Sequence, residues 1–239
     1  MDLFNWHGIL LSLVKYNKMA VIKIAGVLSM TMASVFSYAQ KTMSEGTIIY
    51  NISTQSDNKS SVTDPMSGAS STVYLKGSLS RTDMASPLGK ETTIYDEKNA
   101  SGVILKEYSG QKLMITLTKE NWINRNKKFE GIVFETSAET KTISGYNCSK
   151  ATAKLKDGSL ITVYYTPSVS INNKEYNLVF KNLPGLPVQY EFGMGKMKFT
   201  YLLASINWSP LPISKFDIPK SGFRVISYDE NQKDRKEGL

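Results

Sequence analysis

The chain has 239 residues, with 29 Lys and Arg against 21 Asp and Glu, one cysteine, one histidine and a formal net charge of +8. The lone His7 lies upstream of what reads as a signal peptide, so the exported part contains no histidine. This excludes a Ser-His-Asp triad, a Cys-His pair and a zinc site of the usual kind. Cys148 has no second cysteine to pair with inside the chain, and its flanking strand pattern predicts a buried thiol.

From Met19 onward, Lys23 forms a charged n-region, Ile24 to Phe36 an apolar h-region, and Ser37-Tyr38-Ala39 a small-x-small cleavage site. Cleavage is expected before Gln40, with residues 1–18 read as a start assigned too early or a signal extension. Removing residues 1–39 takes away Lys15, Lys18, Lys23 and Asp2, which leaves 26 basic and 20 acidic side chains, a net of +6. That charge is moderate, and export argues against nucleic acid as a partner. The remaining residues suffice for one domain without metals or disulfides. No cysteine follows the signal to carry a lipid, and no apolar run of about 18 residues follows Gln40, so neither a lipid anchor nor a transmembrane segment is expected. No cofactor is expected either.

Period-two alternation dominates from Gly46 to Tyr228. Ile48, Tyr50 and Ile52 alternate with Ile49, Asn51 and Ser53 as a first strand, and the polar stretch from Ser53 to Ser71 predicts a long mobile loop. Strands follow at Val73 to Ser80 and Thr92 to Tyr95, with Ser86-Pro87-Leu88-Gly89 as a turn between them. Val103 to Glu107 and Leu113 to Leu117 make a hairpin turned at Ser109-Gly110. Thr118 to Lys128 is the helix candidate, with Thr118 as its cap and Trp122 and Ile123 on its apolar side.

Asp157-Gly158 predicts a two-residue type I′ turn. Pairing across it sets Leu155 opposite Leu160, Ala153 opposite Thr162 and Ala151 opposite Tyr164 on one face, with Lys150, Thr152, Lys154 and Lys156 facing water. Tyr176 to Phe180 and Val188 to Phe192 alternate as strands around a break at Asn182 to Pro187, whose two prolines are barred from a central ladder. Gly193-Met194-Gly195 then turns the chain into Met197, Phe199, Tyr201 and Leu203. A last strand at Phe223 to Tyr228 precedes a charged tail over 229–239 that is expected to be disordered. Nine to eleven strands joined mostly by short turns predict a mainly β domain over 40–228. It would be a single curved antiparallel sheet, a half-barrel or open barrel, with one or two short helices.

Four segments in order, ETKTISGYNCSK at Glu139 to Lys150, YYTP at Tyr164 to Pro167, NLPGLP at Asn182 to Pro187 and FDIPKSGF at Phe216 to Phe223, resemble an exported bacterial family of domains of unknown function with a GLPGLI-type signature. The signature stands here as Leu183-Pro184-Gly185-Leu186, with Asn182 in place of its first glycine and Pro187 in place of its last isoleucine. More distantly, the pattern is similar to the periplasmic outer-membrane lipoprotein carrier proteins. That resemblance implies a curved antiparallel sheet closed by short helices over an apolar cavity that shields acyl chains. It would make Trp122 and Ile123 part of a lid, and Leu183, Pro184, Gly185 and Leu186 a gate. No catalytic set comes with it.

Ser56-Asp57-Asn58-Lys59 matches S-x-x-K but lies in a polar loop without the motifs that accompany it in serine–lysine enzymes. Among the strand acids Asp83, Asp96, Glu97, Glu107 and Glu191, no spacing favours a catalytic pair, and adjacent Asp96 and Glu97 point to opposite faces. The aromatics that fall in strands can line a cavity or fill a core. The sequence therefore reads as a soluble periplasmic or secreted binding protein rather than an enzyme. It would sequester an apolar or amphipathic ligand, an acyl chain, lipid or lipoprotein, against Tyr164, Tyr190, Phe192, Met197, Phe199, Tyr201 and Leu203. The alternatives are an envelope scaffold that binds another protein and has a fully packed core, and, third, a hydrolase using carboxylates or lysine.

Overall fold

The computed structural model describes residues 40–56, 68–194 and 197–237. The expected signal peptide and the segment before it lie outside these residues, as do most of the expected loop after Ser53, Asp57 to Lys59 of the S-x-x-K match, and Gly195.

The first half of the domain is a meander of β2 (Glu45–Ser56), β3 (Ser70–Lys76), β4 (Leu79–Ser86), β5 (Gly89–Asp96), β6 (Ser101–Tyr108) and β7 (Gln111–Leu117). Short turns set its register. Ser109 and Gly110 take φ of 50° and 80°, the two positive values that a type I′ turn requires, and Tyr108 pairs with Gln111 across them. The expected strand from Val73 to Ser80 is two strands, because Gly77, at φ 57°, opens a two-residue turn that pairs Lys76 with Leu79.

Helix α1 (Lys119–Asn126) follows with Thr118 as its N-cap. The Thr118 hydroxyl accepts from the Asn121 N–H at 3.2 Å, and the Asn121 carboxamide oxygen accepts from the Thr118 N–H at 3.0 Å, so two otherwise unpaired donors of the helix start are satisfied. Trp122 is buried under the helix, whereas Ile123 is 50% exposed.

The second half contains β8 (Glu135–Ile143), β9 (Tyr146–Lys154), β10 (Leu160–Thr166), β11 (Val169–Ile171), β12 (Leu186–Met194), β13 (Met197–Asn207), β14 (Arg224–Ser227) and α2 (Tyr228–Glu237), while β1 (Lys41–Met43) precedes the meander. Twelve strands form one sheet in the order β14-β7-β6-β5-β4-β3-β2-β13-β12-β10-β9-β8, and β1 pairs with β11 separately. The sheet is open and mainly antiparallel, but it is not purely so: β14 runs parallel to β7, and β1 parallel to β11.

The parallel edge has a physical cause in residues 208–223, which cross the outer face of the sheet. Phe216 is buried there among Ile94, Val103, Leu105 and Met114, with Leu211 and Phe223 packed beside it. Polar contacts fasten the strap: the Leu211 N–H donates to Glu45 Oε1 at 2.6 Å, and Arg81 donates to the Lys215 carbonyl at 3.0 Å. A crossing of this length returns the chain to the far edge in the same direction as β7, which a tight hairpin cannot do.

Four local expectations are corrected. The turn at Asp157-Gly158 is a three-residue loop, with Gly158 at φ 85° and its N–H bonded to the Leu155 carbonyl; Ile161, not Thr162, faces Ala153. That one-residue shift turns β10 over. Tyr176 to Phe180 is no strand but part of two 3₁₀ turns, because the Asn173 and Asn177 side chains accept from the N–H groups of Glu175 and Val179 and hold the backbone in turns. Strand β12 begins at Leu186 and includes Pro187, which sits opposite Tyr165 beside a register shift that removes the need for its missing N–H. Residues 228–237 are helical rather than disordered, with Asn231 buried.

The sheet curls. Strands β5 and β12 are five spacings apart in the sheet, about 24 Å if it were flat. Yet Leu178 packs with Tyr95 of β5 and Trp122, while Phe180, two residues on, sits 4.8 Å from the Tyr190 ring of β12. One 3₁₀ turn touches both walls, so the inner face is concave. No helix among the described residues is long and apolar enough to cross a membrane.

Candidate functional site

Alternation along β2, β13 and β12 puts one set of side chains on the inner face: Ile52 pairs with Tyr201, Tyr201 with Tyr190, and Phe199 with Phe192. The rings interlock. Tyr190 stacks on Tyr201 at 4.6 Å and 10°, and Phe192 stands edge-on to both at 5.5 Å and 6.2 Å. Tyr50 and Phe180 meet Tyr190 edge-on from the other side.

Burial is graded along this wall. Tyr50, Tyr190 and Leu203 are buried, whereas Phe192, Met197, Phe199 and Tyr201 are only partly covered. Burial pushes the hydroxyls of Tyr50, Tyr176 and Tyr190 well above the usual tyrosine range, so all three stay neutral, and Tyr50 donates to the Pro187 carbonyl at 2.9 Å. The covered end is therefore core. The partly covered end keeps some of its apolar surface open on the inner face.

The facing wall is charged. Glu91 of β5 and Lys106 of β6 are direct cross-strand partners, with Lys106 Nζ 3.9 Å from Glu91 Oε2 and Arg125 of α1 at 3.4 Å from Oε1. The Tyr201 hydroxyl is held above its usual range first by burial and then by the charge of Glu91, which places the two walls within electrostatic reach. A cleft of about 450 Å³ opens between α1 and α2 over this cluster. A second cavity, about 620 Å³, lies between α1 and residues 174–182, lined by Trp122, Ile123, Phe129, Ile132, Leu178 and Asn182 with lysines and glutamates beside them.

The structure brings together Tyr190, Phe192, Met197, Phe199 and Tyr201, with Leu203 beneath them in the core. It moves Tyr164 away. The turned-over β10 sends Val163 inward and Tyr164 outward, where its hydroxyl donates to Glu139, itself paired with Lys150 at 2.8 Å. Trp122 stacks on Tyr95 at 4.2 Å in the wall of the larger cavity, with Ile123 exposed beside it.

The expected gate is an anchored corner: Leu183 and Leu186 are buried to 2% and 0% exposure, and Gly185 lies so close to the Thr166 carbonyl that a side chain has no room. All four resembling segments have such structural roles. Gly145 completes a positive-φ turn with Ser144 before buried Cys148, Tyr165 and Thr166 are core, and Phe216 anchors the outer strap. Cys148 is free, and burial raises its thiol above the usual range.

Sequence reasoning missed Glu91, Lys106, Arg125 and the closing ring of Phe180. Opposite charges at cross-strand positions were the available signal for the first two, but reading it required the β5–β6 register.

Fold and site together define an open, curled, mainly β protein with an aromatic wall facing a charged one. No family model matches the sequence, and no curated protein matches it. Among solved structures, the chain is similar to PNGF-II at 12% identity and a TM-score of 0.46, covering 79% of this chain and 33% of that one. It therefore spans about a third of that protein's length. It is also similar to an uncharacterized conserved protein from Thermus thermophilus, at 9% identity and a TM-score of 0.45 over 77% of this chain and 91% of that one. A DUF1329 family protein from Desulfovibrio piger ATCC 29098 matches at 9% identity and a TM-score of 0.34 over 82% of this chain and 96% of that one.

Proposed function

We propose that this is an exported, non-enzymatic binding protein that sequesters an apolar or amphipathic ligand, such as an acyl chain, inside its curled sheet. The observation that carries the reading is the graded aromatic wall: Phe192, Phe199 and Tyr201 keep part of their surface open on a concave face while the same array is fully packed one strand position deeper. Covering apolar surface supplies about 25 cal/mol per Å² removed from water, so several half-open rings provide affinity without any covalent step. The resemblance of the sequence to exported GLPGLI-type domains and to lipoprotein carriers supports the same reading, as does the signal-like segment before Gln40. The absence of histidine after residue 39 and the engagement of Asp83 and Glu91 by neighbouring cations support a role without catalysis.

The test is native mass spectrometry and lipid extraction of protein purified from its own cells, together with titration by the apolar dye N-phenylnaphthylamine. Bound lipid and saturable dye fluorescence are expected, with dye affinity reduced about tenfold or more in Phe199→Asp, since a charge on the wall repels an apolar ligand. A protein that carries no lipid and binds no dye overturns the reading.

A further inference from the structure

The cleft between α1 and α2 has a charge surplus. Its floor is Ile104 and Ile115, and its charged lining is Lys106, Arg125 and Lys128 against Glu91 alone. Glu91 does not saturate its partners, because its contacts of 3.4 Å and 3.9 Å are longer than a good charge-assisted hydrogen bond and the Arg125 guanidinium has five N–H donors to place. Across the cleft, Asn231 of α2, 8% exposed, lines the opposite side. Three cations against one carboxylate, with a carboxamide on the far side of the cleft, make a place for an acceptor from outside the chain.

The location matters as much as the charge. The cross-strand row Leu203–Tyr50–Ser71–Met84–Glu91–Lys106 puts the cationic cluster on the same inner face of the curled sheet as the aromatic wall. A molecule with an apolar tail on Phe199 and Tyr201 would bring its polar end to Lys106 and Arg125. We infer that this cleft seats an oxyanion head group, such as a phosphate, of the amphiphile held by the aromatic wall. Arg125 supplies the planar pair of donors that suits an oxyanion, Lys106 and Lys128 add point charge, and Asn231 donates from the far side. The link to a lipid tail rests on the sequestration reading; the oxyanion site itself does not.

Calorimetric titration of the purified protein with dodecyl phosphate, dodecyl maltoside and inorganic phosphate separates the two. Dodecyl phosphate is expected to bind about tenfold more tightly than the maltoside at low salt, with the advantage shrinking at high salt. Arg125→Gln and Lys106→Gln should each remove several-fold of that advantage and leave maltoside binding unchanged, which also reports that the variants are folded. Equal binding of the two detergents overturns the oxyanion site and leaves sequestration standing. Inorganic phosphate that binds as tightly as dodecyl phosphate, in an Arg125-dependent way, supports the oxyanion site but overturns the link to a lipid. No binding by any of the three overturns both readings.

Discussion

Tyr190 and Tyr201 stack face to face across the β12–β13 pair, 4.6 Å apart, and only Tyr190 is fully buried. The two residues therefore separate stability from binding. Tyr190→Ala leaves a cavity among Tyr50, Phe180 and Phe192 and should cost about 3–5 kcal/mol in urea unfolding. Tyr201→Ala should cost roughly half as much and show its larger effect as weaker dye binding. Equal losses of stability from both would mean that the wall is simply core.

Gly185 should not accept a side chain. A Cβ there meets the backbone carbonyl of Thr166 and the Tyr165 ring, neither of which can swing aside as a flexible side-chain end would. Gly185→Ala is expected to lower stability by about 1–3 kcal/mol, as overpacking does. The equivalent change at Gly110, where nothing lies within 4 Å, has no such contact to relieve; its cost comes only from φ 80°. Chemical denaturation of the two variants compares contact strain with backbone strain.

Asp83 gives the fold an acid-sensitive point on its outer face. Burial alone would raise its carboxyl, but hydrogen bonds from Arg81 at 2.8 Å and Thr92 at 2.9 Å, with the charges of Arg81 and Lys90, outweigh burial and hold it below the usual range. A depressed folded pKa means that the stabilisation is fully present above the unfolded value of about 3.9 and is lost as pH falls through the folded value. Wild type should therefore lose stability below about pH 4 more steeply than Asp83→Asn, which should already be about 1–3 kcal/mol less stable at pH 7. Parallel pH profiles for the two proteins would contradict this assignment.

Cys148 should be chemically silent in the folded state. It is 1% exposed, and burial holds its thiol in the protonated form, whereas the thiolate is the reactive species. A thiol-reactive disulfide reagent at pH 8 should leave it untouched until denaturant is added. Stoichiometric reaction in native buffer would show that the strand around it opens readily.

Much of the strand content was legible because alternation and turn residues are local signals. Ile48, Tyr50 and Ile52 face inward as their spacing implies, and Thr118 caps the one helix that was expected. Errors arose where a local signal had two readings. Asp157-Gly158 serves a two-residue or a three-residue loop equally well, and the choice inverts Tyr164. The alternating Tyr176 to Phe180 is overruled by two asparagines whose side chains compete for the backbone.

The sequence by itself determined the β character, turns such as Ser109-Gly110, the burial of Cys148 and the aromatic alternation of β12 and β13, since each depends on residues within a few positions of one another. Tertiary structure alone decided that the sheet curls until one 3₁₀ turn touches both walls, that the strap over 208–223 makes β14 a parallel edge, and that Glu91, Lys106 and Arg125 face the open rings. Those relationships join residues from strands remote in the chain, and their register depends on packing over the whole sheet.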